Sequence, residues 1–336
     1  MEDKKYQKFI KKLDAAFKNG NYQKAINIST KLLKNKDKDN LAIYSTKSTA
    51  LAKLKRFSEA IDVIDEALKI YPDDPTLTSS RATFLVSIDE DEALREFDRV
   101  LELIGENDDA VRINTLYNKA SVLKNSGIYE ESLKSFNQLL EITPDDLEAL
   151  EEKVDILSKL KRYTEGIKTC DKILNLDHSN MKAIINKSGM LDKIGKTQLA
   201  YETLEKLRKY GYSENLITLN KGIILMNNGK YDESFNYFTK LLKDDPNDLW
   251  ALHYMARLYK EKGEYETSLE YHEKILTDSE DMAMVLNTFF HKALVLNKLE
   301  RYKEALDCFN DLEEFPEFKL LVEDGKKEAL DGINKS

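Results

Sequence analysis

One short phrase returns along this chain, and its spacing sets what the chain can fold into. It reads Gly-Asn-Tyr-Gln-Lys-Ala at 20–25, Lys-Arg-Phe-Ser-Glu-Ala at 55–60, Gly-Ile-Tyr-Glu-Glu-Ser at 127–132 and Lys-Arg-Tyr-Thr-Glu-Gly at 161–166. It comes back as Gly-Lys-Tyr-Asp-Glu-Ser at 229–234, Gly-Glu-Tyr-Glu-Thr-Ser at 263–268 and Glu-Arg-Tyr-Lys-Glu-Ala at 300–305. The small residue closing each phrase, or its counterpart, is Ala25, Ala60, Ala93, Ser132, Gly166, Ala200, Ser234, Ser268 and Ala305. Four consecutive intervals between these markers are 34 residues. A fixed period of that length means one supersecondary unit used repeatedly, each copy burying its apolar side against the next.

Within a 34-residue unit whose marker is slot 20, slots 4, 8 and 11 share one face of a first helix. Slots 17, 20, 24, 27 and 28 share the facing side of a second. The fourth unit carries the pattern as Leu116, Ala120, Leu123, Gly127, Tyr129, Ser132, Phe136 and Pro144, and the seventh as Gly222, Leu225, Gly229, Tyr231, Ser234, Phe238 and Pro246. The markers stay small because a larger side chain would overpack the contact, at a cost of about 1–3 kcal/mol. Glycine at slot 15 suits the tight turn, and Pro72, Pro144 and Pro246 stop second helices.

Over nearly its whole length the chain resembles the tetratricopeptide repeat family. The resemblance implies an all-α fold, a right-handed α-solenoid (superhelix) of about nine helix-turn-helix repeats. The repeats fall at 6–39, 41–74, 75–107, 113–146, 147–180, 181–214, 215–248, 249–282 and 286–316, with a capping helix at 317–331, in one array over 1–336. The third unit fits worst, having Ile88-Asp89-Glu90 at the turn. Insertions near Gly105 and Thr277 are expected to form loops.

The resemblance also implies that first helices line the concave surface. Residues free to meet a partner are then those at slots 2, 5, 6, 9, 12 and 13. Asn118, Asn186 and Asn220 stand at slot 6, where an amide can bond the backbone of an extended peptide as donor and acceptor. The fifth unit puts Glu148, Glu151, Glu152 and Asp155 at slots 2, 5, 6 and 9, an acidic face for a basic segment or for water. In the last third, Leu216, Leu219, Ile223, Met226, Trp250, His253, Tyr254, Phe290, His291 and Leu294 predict an apolar, aromatic stripe. Such a stripe marks a partner groove, with Trp and Tyr as anchors, unless the C-terminal helix or a second copy of the chain covers it. A basic residue recurs at slot 7, as Lys12, Lys47, Arg81, Lys119, Lys153, Lys187, Lys221 and Lys292, and is read as long stems with solvated tips.

These observations predict a protein-protein interaction scaffold that takes an extended peptide or helix. Self-association through the C-terminal stripe, as a homodimer, is the alternative. Net charge −9, from 61 acids and 52 bases, disfavours a nucleic-acid partner. No catalytic, metal or cofactor site is expected. Gly195-Lys196-Thr197 lacks the earlier glycine of a phosphate loop, since Met190 stands there. His253 and His291 lie at slots 5 and 6 of adjacent units, but two imidazoles without a carboxylate or thiolate make a poor metal site. Two cysteines 138 positions apart, Cys170 and Cys308, and the lack of a signal or membrane-spanning stretch predict a reducing, cytoplasmic setting.

Overall fold

A computed structural model describes residues 3–34, 40–104, 108–315 and 318–335. Every regular element among the described residues is an α-helix. The first helices of the predicted units are α1 (Asp3–Lys18), α3 (Leu41–Lys53), α5 (Pro75–Leu85), α7 (Asp109–Asn125), α9 (Leu147–Lys159), α11 (Met181–Lys193), α13 (Glu214–Asn227), α15 (Leu249–Glu261) and α17 (Met282–Lys298). Their partners are α2 (Tyr22–Leu32), α4 (Phe57–Leu68), α6 (Glu90–Leu103), α8 (Tyr129–Ile142), α10 (Tyr163–Leu176), α12 (Thr197–Lys209), α14 (Tyr231–Asp244), α16 (Tyr265–Asp278) and α18 (Tyr302–Glu313). A last helix, α19, spans Lys319–Lys335. Packing divides the chain into an N-terminal block, Met1–Lys124 with Ile128–Ala149, and a C-terminal block, Asn125–Gly127 with Leu150–Ser336.

Helix starts follow local chemistry. Asp74, Asn180, Asp248 and Asp281 accept hydrogen bonds from the backbone N–H groups of Leu77, Ala183, Ala251 and Ala283, which would otherwise face outward unpaired. In the ill-fitting third unit, Asp89 caps α6 in the same way by accepting from Glu92 N–H. The expected insertion loops are mostly helix instead. Both α7 and α17 run 17 residues, starting four residues before the expected unit boundary. Asp281 at the head of α17 makes that extra turn favourable. Residues 105–107 of the first insertion lie outside the described residues.

All nine markers are buried where their hairpins close. The serine markers carry their own solution to burying a hydroxyl. Ser132, Ser234 and Ser268 each donate to the carbonyl 12 residues earlier, of Ala120, Gly222 and Ala256, at 2.7, 2.8 and 2.7 Å. One turn after the marker on the same helix, slot 24 holds the largest fully buried rings, Phe97, Phe136, Phe238 and Phe309, in four of the hairpins.

In every hairpin but the third, which has Ile88 there, the turn passes through a left-handed residue at slot 15. Glycine holds it at Gly20, Gly127, Gly195, Gly229 and Gly263, but Lys55, Lys161 and Glu300 adopt it too, with φ of 58°, 57° and 60°. A side chain in this region costs roughly 1–2 kcal/mol. Lys55→Gly and Lys161→Gly should therefore each raise stability, by about 1 kcal/mol after the greater chain entropy of glycine is deducted. Urea denaturation of the full chain checks this; a lowered midpoint for both variants would contradict it.

Five of the eight slot-7 cations are held in ion pairs rather than being the solvated tips expected of them. Arg81 reaches Asp65 at 2.8 Å, Lys292 reaches Glu273 at 2.6 Å, and Lys119, Lys187 and Lys221 bind Asp98, Asp171 and Glu205. Each carboxylate lies on the second helix of the preceding hairpin, so the recurrent cation ties consecutive hairpins together. Sequence position 137, sixteen before Lys153, holds Asn, so Lys153 lacks that carboxylate: burial lowers its ammonium pKa, with only Glu165 acting against that. Among the described residues no helix is long and apolar enough to cross a membrane.

Candidate partner-binding surface

In the C-terminal block the first helices lie side by side, α11 against α13, α13 against α15 and α15 against α17. Their shared face carries a cavity of about 280 Å³. Its walls come from Ile185, Asn186 and Met190 of α11, from Asn220, Ile223 and Asn227 of α13, and from Tyr254 of α15, with Tyr163 at one end. Two of the three slot-6 asparagines thus share one pocket. Asn186 has no hydrogen-bond partner among the described residues, whereas Asn220 uses one N–H on the Leu216 carbonyl at 2.8 Å. The third, Asn118, belongs to the N-terminal block and donates to Thr83 at 3.3 Å.

A stack of rings rises from the core to the surface at the pocket's α15 wall. Phe238 is fully buried, Tyr254 stacks on it at 5.7 Å, and Trp250 stacks on Tyr254 at 6.5 Å while remaining 51% exposed. Arg257 places its guanidinium 5.2 Å from the centre of the Tyr254 ring. Burial raises the Tyr254 phenol pKa, so it stays a neutral hydrogen-bonding group near neutrality.

The predicted apolar stripe is otherwise used up by the fold. Met226 and His253 are buried, not lining residues. Leu216 packs toward Ile184 and Ile217, and Leu219 and Ile223 pack around Phe238. Phe290 and Leu294 join the cluster of Phe309 and Val322, with the Phe290 ring 6.1 Å from that of Phe318. The C-terminal segment therefore covers the ninth-unit end of the stripe and leaves Trp250 uncovered. The physical reason is that slots 5, 9 and 12 of one first helix also meet the next first helix, so their apolar residues serve packing between hairpins.

The acidic face is likewise engaged. Glu148 accepts from the Tyr117 hydroxyl at 2.7 Å, and Glu151 accepts from Asn180 at 2.9 Å and from Lys182 at 3.1 Å. Glu152 and Asp155 also interact within the chain. These carboxylates are partners of the protein's own donors before they are available to any other.

The sequence pairs His253 with His291 alone, and the structure adds His272 to them. His253 of α15, His272 of α16 and His291 of α17 converge, with ring centres 5.0 Å apart for 253–291, 6.4 Å for 253–272 and 6.5 Å for 272–291. His253 Nδ1, both nitrogens of His272 and His291 Nδ1 are buried with no hydrogen-bond partner in the protein. Burial, followed by repulsion from Arg257, pushes His253 down to about 4. Burial, then the neighbouring histidines and cations, push His272 down to about 3 and His291 to about 2. The available signal was slot 24, where His272 replaces the ring held elsewhere by Phe136, Phe238 and Phe309. As they stand the rings are not arranged around a metal position: among the described residues no group of three or more His, Cys, Asp or Glu is. Of the other sequence candidates, Thr197 at the α11–α12 turn donates to buried Asp192, and burial pushes the Cys170 thiol up to about 12.

Sequence profiles described as tetratricopeptide repeat match residues 16–82, 113–146, 219–248 and 237–270. No curated protein sequence matches the chain. Among solved structures, a tetratricopeptide repeat protein from Parabacteroides merdae is similar at 20% identity and TM-score 0.56, covering 86% of this chain and 98% of that one. MamA from Desulfovibrio magneticus is similar at 20% identity and TM-score 0.44, over 52% of this chain and 99% of that one. At these identities the first likeness bears on the fold alone.

Proposed function

Because this chain is a tetratricopeptide repeat protein, we propose that it is a protein-binding scaffold that holds an extended peptide or helix of a partner along the first helices of its C-terminal block. The observation carrying the proposal is the pocket where Asn186, Asn220, Ile223 and Tyr254 meet. It is the arrangement an extended peptide needs. Amides at one-hairpin spacing match backbone N–H and C=O groups, Ile223 offers an apolar floor for a side chain, and exposed Trp250 extends the aromatic wall outward. The pocket's amides and apolar surface suit the holding of an extended chain. Asp192 on its wall is already bonded by Thr197 and Asn228, at 2.7 and 2.9 Å.

The test compares wild type with Asn186→Ala/Trp250→Ala. Asn186 makes no hydrogen bond among the described residues and Trp250 is the exposed end of its ring stack, so the melting temperature should hold within about 2 °C. Partner capture from native extract should fall at least tenfold, as expected when a hot-spot aromatic is removed. Retention of the same partners at the same yield would rule the groove out.

A further inference from the structure

The histidine cluster is the feature that neither the fold nor the binding pocket explains. A neutral imidazole has one N–H and one lone pair, and both want partners when buried. Here four ring nitrogens have none in the protein. Phenylalanine at position 272 would fill the same slot, as Phe238 does two helices earlier, without stranding a nitrogen. What histidine can do there and phenylalanine cannot is accept a proton.

The surroundings decide what a proton does once it arrives. Arg257 and Lys260 of α15 and Lys292 of α17 act on the rings, and the rings act on one another; no carboxylate stands among the groups that do. From α16, Glu273 is held by Lys292 at 2.6 Å, and Glu261 of α15 lies 3.5 Å from Lys260. Among these groups an imidazolium is desolvated, unpartnered and next to fixed positive charge, a state relieved only when the helices part and admit water. The same rings touch the aromatic wall of the pocket. His253 meets Trp250 edge-on at 6.2 Å and Tyr254 edge-on at 5.3 Å.

We infer that acid opens the α15–α17 layer through His253, His272 and His291, and thereby releases a partner held against Trp250 and Tyr254. The opening stands on the cluster itself; the release rests on the binding reading above.

The sign follows from linkage. An open state binds protons with the ordinary histidine value near 6.5, whereas the closed state resists protonation down to about 4, 3 and 2 at the three rings. Closure is therefore at full strength above about pH 6.5 and weakens as pH falls below it. The opening constant should rise about tenfold per pH unit for each histidine exposed.

Trp250, the chain's one tryptophan, is a built-in reporter. In the full-length protein taken from pH 7.5 to 5.0, its emission should shift to the red. Amide exchange, corrected for its intrinsic pH dependence, should accelerate over 249–298 while 57–68 stays protected. His272→Phe restores the ring found in other hairpins and should reduce the pH dependence by about one proton. His253→Asn, smaller and polar, is the second variant should the first misfold. No response in the wild type, or an undiminished response in both variants, overturns the inference. So does a rise in melting temperature with zinc at pH 7.5 that the variants lose, since that would make the rings a coordination site. If the binding reading is the part at fault, the acid response persists while Asn186→Ala/Trp250→Ala captures partners as wild type does.

Discussion

Phe238→Ala should destabilise the protein by about 3–5 kcal/mol, the cost of deleting a fully buried aromatic side chain from a core that closes only partly around the gap. The ring does two jobs. On one side it fills the space over Gly222, where a Cβ would come within 2.6 Å of it. On the other it is the base on which Tyr254 and then Trp250 stack. Loss of the ring should therefore also free Trp250, giving lower fluorescence anisotropy at temperatures where the chain is still folded. The Gly222 contact supplies an internal control. Gly222→Ala alone overpacks the site and should cost about 1–3 kcal/mol. Combined with Phe238→Leu, whose smaller side chain leaves room for the new methyl, it should cost clearly less than the sum of the single changes. Urea denaturation of the four proteins measures this, and strict additivity would mean that Phe238 and Gly222 do not press on each other.

The parts of this architecture that could be read from sequence are those where one contact recurs in every hairpin. A small residue at slot 20 and a buried side chain one turn later at slot 24 recur in every hairpin, so the size limit at slot 20 repeats along the chain and shows as periodicity. The left-handed turn at slot 15 was legible wherever glycine marks it, and hidden at Lys55, Lys161 and Glu300, where the turn is forced by the hairpin on residues that do not advertise it. The slot-7 cations were visible, but their partners were not. Asp65, Asp171 and Glu205 look like ordinary surface acids until the preceding hairpin is laid beside the next.

The candidate surface was less legible, because exposure at an inward slot depends on how closely neighbouring first helices approach. Met226 reads as groove lining and is core; Trp250, one turn before Tyr254, escapes that packing and stays open. His272 was missed for a different reason. A single departure at a repeated slot carries little weight in one sequence, and its meaning appears only when His253 and His291 are found against it.

Converting Gly325 and Gly332 of α19 to leucine should strip the last helix from the stack. The two glycines lie one heptad apart, so they share a face of the helix. A Cβ at Gly325 would fall 2.3 Å from the Phe309 ring, and one at Gly332 would fall 2.5 Å from the Tyr302 ring. These are rigid aromatic side chains anchored in α18, so the helix rather than the ring must move. Its departure would break the bond from buried Asn297 to the Gly325 carbonyl, 2.9 Å long, and uncover Phe290 and Leu294 beside Phe309. An open end of that kind is apolar and self-complementary in shape, which is why a repeat array needs a cap. The double variant should therefore melt lower and associate with itself, its sedimentation coefficient rising with concentration while that of the wild type does not. Gly325→Ala, which adds only the methyl, should fall between the two. If Gly325→Leu/Gly332→Leu stays monomeric with an unchanged melting temperature, α19 does not close the stack, and the end of the apolar stripe must be covered in another way.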